Sequence, residues 1–208
     1  MLKKRLARLV VLSIIAIAIG GVIAGIQIKN APGPMAQSAV KSSGVAGADI
    51  GGPFTLTDHN GQPFSEKNLA GHPTLIYFGF TFCPSICPTE LQKMTAAMKM
   101  ADAEKSEKIM PVFITIDPER DTVDVMKNYV TQFHPRLIGL TGTQDDINVA
   151  ARAWRVYAQK VQDETMSEYT MDHSSYIYLQ GPDGGLQAIF GTDSTAREIA
   201  DAINANVK

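Results

Sequence analysis

Apolar positions along this chain fall into three patterns, and each predicts a different element. Residues 9–26 carry no charge and form one unbroken apolar run. Leu75-Ile76-Tyr77-Phe78-Gly79-Phe80 and Val112-Phe113-Ile114-Thr115-Ile116 are shorter and nearly continuous, as expected of strands buried on both faces of a sheet. Leu91, Met94, Ala97 and Met98 instead recur at i, i+3, i+6 and i+7, one face of a helix running from 89 to about 104.

The remaining elements follow from the same reading. Residues 54–57 alternate, Asp58-His59-Asn60-Gly61 turns, and 62–64 returns, giving a hairpin. Helices are expected over 123–133 and 145–155, a short strand over 137–140, and a strand over 176–179. Gly181-Pro182-Asp183-Gly184-Gly185 turns that last strand into a partner over 186–190. An amphipathic helix over 194–207 closes the chain, with Ile199, Ala202 and Ile203 as its buried face. Asp193 or Ser194 can cap it, and Thr195 with Glu198 also fits a capping box. A hairpin, then β-α-β-α, a helix, a β-hairpin and a helix is an α/β, thioredoxin-like layout.

The front of the chain lies outside this domain. Eighteen apolar residues at about 1.5 Å each span roughly 27 Å, close to the hydrocarbon thickness of a bilayer. Lys3, Lys4, Arg5 and Arg8 precede the run and place that end in the cytoplasm. The chain therefore divides into a basic segment (1–8), a transmembrane signal anchor (9–28), a flexible Ala/Gly/Ser/Pro-rich linker (29–50) and a domain (51–208). A cleaved signal peptide is the competing reading, but its core would be about 7–15 residues. The expected location is a bacterial inner membrane crossed once, with the domain in the periplasm.

Charge separates the same parts. The chain as a whole carries −2, yet from residue 51 onward there are 13 basic and 20 acidic residues. A domain so acidic has no electrostatic reason to bind nucleic acid.

The chain has two cysteines, in Cys83-Pro84-Ser85-Ile86-Cys87, at the end of the strand and the start of the helix. Backbone N–H groups at a helix N-terminus favour the thiolate, which attacks disulfides and binds metals. Thiol–disulfide exchange, peroxide reduction, soft-metal binding and a structural crosslink all fit such a pair. The spacing is one residue wider than the C-x-x-C redox signature, which suits a metal held between two sulfurs. Soft thiolates select Cu(I) or Zn, and two sulfurs need a third ligand from elsewhere. In an oxidising compartment free thiols also need a reductant from outside.

Four histidines are available. His59 and His72 read as solvated loop residues, and His134 as the end of a helix. His173 lies in Met171-Asp172-His173-Ser174-Ser175, just before the late strand, in a polar segment from Gln162 that reads as a mobile loop. In a thioredoxin-like layout that loop faces the cysteines, and thioredoxin oxidoreductases resemble one another in placing a cis-proline there. Between Pro135 and Pro182 there is no proline. His173 stands there instead and is the candidate third ligand. Met94 and Met98 fit the buried helix face, so core packing explains them better than copper does.

Three separated stretches resemble the Sco/SenC family of membrane-tethered copper proteins with a thioredoxin-like fold. They are Tyr77 through Glu90 around the cysteine pair, Ile116-Asp117-Pro118-Glu119-Arg120-Asp121-Thr122, and Asp172-His173-Ser174 followed by Gly181-Pro182-Asp183-Gly184. The resemblance implies that Cys83, Cys87 and His173 bind one copper ion, Cu(I) or Cu(II), with Asp117 and Asp172 supporting the site from outside the ligand set. It implies help in assembling the CuA centre of cytochrome c oxidase, with its copper-bearing subunit as partner, alongside another copper carrier and a thiol reductant. Such a carrier has no turnover. The alternative is a thiol–disulfide oxidoreductase that reduces the accepting subunit's cysteines through a redox-active Cys83–Cys87 disulfide. Peroxide reduction fits poorly, since peroxiredoxins carry threonine three residues before the reactive cysteine and neither cysteine here has one.

Overall fold

The computed structural model describes residues 50–162 and 168–208. The apolar run and nearly all of the linker lie outside these. No helix among the described residues is long and apolar enough to cross a membrane.

The hairpin forms as β1 (Thr55–Asp58) and β2 (Pro63–Ser65), paired antiparallel. β3 (Thr74–Gly79) and β4 (Met110–Thr115) lie parallel at the sheet centre, with every residue of β3 buried. β5 (Ile138–Thr141) extends the parallel set beyond β4 and meets β1 antiparallel. β8 (Ile177–Gln180) runs antiparallel along the other side of β3, and β9 (Leu186–Phe190) pairs antiparallel with β8 at the sheet edge. The resulting seven-stranded sheet has the order β2-β1-β5-β4-β3-β8-β9. Its β4-β3-β8-β9 portion is the thioredoxin-like core: a right-handed β-α-β unit plus a returning hairpin.

Side chains alternate across β3. Tyr77 stacks on Phe113 at 6.2 Å between ring centres, while Phe78 turns to the other face against Trp154 and Tyr178, each at 6.4 Å. Both faces of the strand are thus covered by aromatic packing, which is why its sequence shows no polar alternation.

The helices are α1 (Ile86–Met100), α2 (Ala103–Lys108), α3 (Val123–Val130), α4 (Gln144–Ala153) and α5 (Ala196–Asn206). α1 packs on α5 and on β3, α3 on β5, and α4 on β1. Leu91, Met94, Ala97 and Met98 are all buried on α1, as their spacing predicts; a fully buried Leu or Met is worth about 1.5–3 kcal/mol. Thr195 and Glu198 form the capping box of α5, with Ile199, Ala200 and Ile203 buried and Ala202 only partly so.

Several elements depart from the sequence reading. α1 starts at Ile86 rather than after Pro88, because a proline in the first turn has no intrahelical N–H bond to lose. α3 ends at Val130, and the chain then tightens into turns as Gln132 N–H and Phe133 N–H donate three residues back. α2 was not foreseen; Asp102 caps it by accepting from the N–H groups of Glu104 and Lys105. The largest correction concerns the polar segment. Of the segment from Gln162 expected to be mobile, residues 163–167 lie outside the described residues, while its end forms β7 (Thr170–His173), paired with β6 (Ala158–Val161) just ahead of the segment in a separate two-stranded ribbon. β6 is exposed along its whole length, so no apolar alternation marks it.

Candidate metal centre

β3 delivers the chain to the edge of the sheet, and Phe80 leads into the turn that carries Cys83. Both cysteines are free. Ser85 occupies the N-cap of α1 but makes no side-chain capping bond. Cys83 takes that role: Cys87 N–H donates to Cys83 Sγ at 3.4 Å. A sulfur at the positive end of a helix, receiving its orphan N–H groups, is held as thiolate.

The pair shares its protons unequally. Donation from the Cys87 thiol, then the N–H groups of Cys87, Ser85 and Ile86, bring Cys83 down to about 5 against the opposing effect of burial. The Cys87 thiol is pushed up, first because it donates to Cys83 and then because it is buried. Cys83 is therefore the exposed-side thiolate and Cys87 the buried thiol. Tyr77 O–H points at Cys87 Sγ from below at 3.6 Å. The floor is close-packed: a Cβ on Gly79 would lie 2.8 Å from Cys87 Sγ and 2.9 Å from Tyr77, so only glycine fits.

His173 is the last residue of β7, and Nε2 approaches Cys87 Sγ to 3.7 Å. Its Nδ1 lies 2.9 Å from the Ser174 carbonyl. A carbonyl only accepts, so Nδ1 carries the proton and Nε2 presents its lone pair towards Cys87 Sγ. Burial lowers the imidazole's pKa, against smaller raising effects of the Ser174 carbonyl and the charges of Cys83 and Asp172. The ring is fixed edge-on against Phe80 and Tyr77, at 5.8 and 6.4 Å. A thiolate, a second sulfur and a neutral imidazole thus converge, a donor set suited to a soft, low-coordinate metal. Among the described residues no group of three His, Cys, Asp or Glu is already in place to hold a metal ion. Loading requires the Cys87 proton to leave and the sulfurs to adjust.

The other predicted residues lie at different depths. Asp117 is buried and engaged, accepting from Arg120 Nε at 2.5 Å and from Tyr169 O–H at 2.8 Å. Asp172 is exposed and sits one position before His173 on β7. Of the remaining histidines, His72 is exposed, His59 accepts from Gly139 N–H through Nδ1 at 3.1 Å, and His134 accepts from Arg136 N–H at 3.2 Å. His59 and His134 are thus turn-fastening residues rather than the solvated loop residue and helix-terminal residue expected.

Sequence reasoning gave no role to Arg120, Asp121 or Tyr169. Asp121 accepts from Thr81 N–H at 3.0 Å and from the hydroxyls of Thr81 and Thr115, both at 2.5 Å, pinning the cysteine turn to the end of β4. Arg120 and Asp121 stand in the Asp117–Thr122 stretch already singled out, so the signal was present there. Tyr169 carried none.

Comparisons with known proteins bear on the family and the fold. A protein-family model described as SCO1/SenC matches residues 43–208. The chain is 43% identical over 171 residues to the SCO1 homolog 1, mitochondrial, of Arabidopsis thaliana, covering 82% of this chain and 51% of that protein. It is 44% identical over 158 residues to a SCO2-like protein of Rickettsia felis, covering 76% and 77%. It spans about half the length of the mitochondrial relatives it matches. Among solved structures it is similar to Arabidopsis thaliana ScoI with copper bound, at 43% identity and a TM-score of 0.71, over 76% of this chain and 97% of that one. It is also similar to BsSco, described with a disulfide switch and as a member of the Sco family of cytochrome c oxidase assembly proteins. That match has 27% identity and a TM-score of 0.56, over 74% and 92% of the two chains.

Proposed function

The chain belongs to the SCO1/SenC family, and on that premise we propose that it binds one copper ion through Cys83, Cys87 and His173 and passes it to the copper-bearing subunit of cytochrome c oxidase, building the CuA centre. Residues 9–28 anchor it in a bacterial inner membrane and 29–50 tether the domain (51–208) in the periplasm. The single observation that carries the ligand assignment is the approach of His173 Nε2, proton-free, to Cys87 Sγ at 3.7 Å beside the helix-stabilised Cys83. Copper is cargo here, and Cu(I) is the state that two thiolates and an imidazole favour. His173 ends a ribbon strand rather than a loop, so release of copper would involve movement of that ribbon end. Asp117 and Asp172 bind no metal in this reading; Asp117 acts through its bonds to Arg120 and Tyr169.

The unequal thiols favour a second reading as well. As a reductase, the Cys83 thiolate would attack a sulfur of the partner's disulfide, forming a mixed disulfide and releasing one partner thiolate. Cys87, losing its proton, would then attack Cys83 Sγ, forming the Cys83–Cys87 disulfide and freeing the second partner thiol. Two electrons pass to the partner, and an external dithiol must restore them.

His173→Ala separates the two. Reduced full-length chain in detergent, titrated anaerobically with Cu(I) against a chelator, should hold one copper per chain. The variant should lose about two orders of magnitude in affinity or more while its two thiols still reduce a model disulfide. Unchanged affinity would refute the ligand assignment. Oxidase assembly sustained by the copper-free variant would favour the reductase over the carrier.

A further inference from the structure

Arg120 stands between the two segments that bring the site together. Its Nε donates to Asp117 and Nη1 to the Tyr169 carbonyl at 2.9 Å. The guanidinium carbon lies 3.7 Å from the centre of the Tyr169 ring, 4.6 Å from that of Phe82 and 5.9 Å from that of Phe80. Phe82 directly precedes Cys83, and Tyr169 directly precedes β7, which ends in His173. Phe80 meets the His173 ring itself. Nη2 is buried with no hydrogen-bond partner among the described residues. This end of the guanidinium is therefore held by aromatic stacking, which a planar cation provides and an ammonium does not.

A second tie runs in parallel. Lys160 of β6 pairs with Glu119 at 2.6 Å, and its ammonium lies 3.8 Å from the centre of the Tyr169 ring. Lys160 and Glu119 are both well exposed, so this is the weaker restraint.

We infer that Arg120 is the positioning residue that locks the His173 ribbon onto the Cys83 turn, so that the hold on copper depends on a residue that touches none of it. This rests on the copper reading above. It separates the joint's two halves: Asp117 fixes the guanidinium from the turn after β4, and the aromatic rings transmit its position to the ligands on either side.

The test uses full-length chain in detergent, reduced, with ring-labelled histidines, and follows both copper release to a chelator and the His173 ring signal of the copper-free protein. That signal is assigned by its absence in His173→Ala. In wild type it should be shifted by the Phe80 and Tyr77 rings. Arg120→Gln should release copper at least tenfold faster and move or broaden the His173 signal. Arg120→Lys should behave like Arg120→Gln rather than restore it. In the His173→Ala background, Arg120→Gln should change copper release less than twofold. Should Arg120→Gln not fold, Tyr169→Leu breaks the same contact from the ribbon side with the same expectations. A His173 signal unmoved by Arg120→Gln would overturn the inference, as would equal acceleration with and without His173. If His173→Ala alone leaves copper release unchanged, the copper reading fails, and the ring signal of the copper-free chain still decides whether Arg120 positions His173.

Discussion

The Cys83 sulfur does two tasks at once: it caps a helix and it is the reactive thiolate. Because capping N–H groups and the Cys87 thiol all donate to it, Cys83 ionises near 5 while Cys87 stays protonated well above the usual thiol range. The consequence for stability has a definite sign. Between about pH 5 and 9 the folded chain holds fewer protons at Cys83 than the unfolded chain does, so stability rises with pH over that window. Above about 9 the unfolded chain loses the Cys87 proton that the fold retains, and stability falls again. Iodoacetamide labelling of the reduced, metal-free protein, read by mass spectrometry, should modify Cys83 with a midpoint near pH 5 and spare Cys87. A midpoint at the ordinary thiol value of roughly 8.5 would mean that the helix end is not stabilising the thiolate.

At the level of elements, the site is a junction of three chain segments: the turn after β3, the turn after β4, and the β6–β7 ribbon. Asp121 fastens the first two. Fully buried, it takes three donors from Thr81 and Thr115 and gives its own carbonyl to the Thr141 hydroxyl at 2.7 Å on β5. Burial raises its carboxyl pKa despite those bonds, so whatever stability its protonated form contributes is present at low pH and is lost as pH rises through the folded value. Asp121→Ala would leave the Thr81 N–H and two hydroxyls without their acceptor. Chemical denaturation should show a loss of about 3 kcal/mol or more, with the Cys83 turn opening first in hydrogen exchange. A loss below about 1 kcal/mol would show that water replaces the carboxylate at little cost, and that the turn is held by other contacts.

For the whole molecule, the proposed reading makes the acidic domain and the basic, apolar front separate working parts of one chain. Removing residues 1–42 deletes the apolar run and leaves the stretch that matches the family. In cell fractionation with carbonate extraction, the full chain should remain with the membrane and the truncated chain should be extracted. Both should bind copper in equal proportion. Full-length chain released by carbonate would exclude an uncleaved anchor, and loss of copper from the truncated chain would mean that the front contributes to the site.

How much was legible in the sequence depended on whether a feature is local. The buried central strands, the amphipathic face of α1, the capping box of α5 and the placement of Cys83 and Cys87 at a strand-to-helix junction are written in neighbouring residues, and the sequence determined them by itself. It also singled out His173, through its position before the late strand and the lack of a proline there. What it left open involved partners far apart in the chain. The ribbon carrying His173 is exposed on β6 and polar, so its pairing leaves no periodicity to read. The Arg120–Tyr169 and Asp121–Thr81 contacts span 49 and 40 residues, distances over which side-chain chemistry carries no spacing signal. Only the tertiary structure decided which thiol is the anion, because that follows from which sulfur the end of α1 meets and which one the core of the sheet buries.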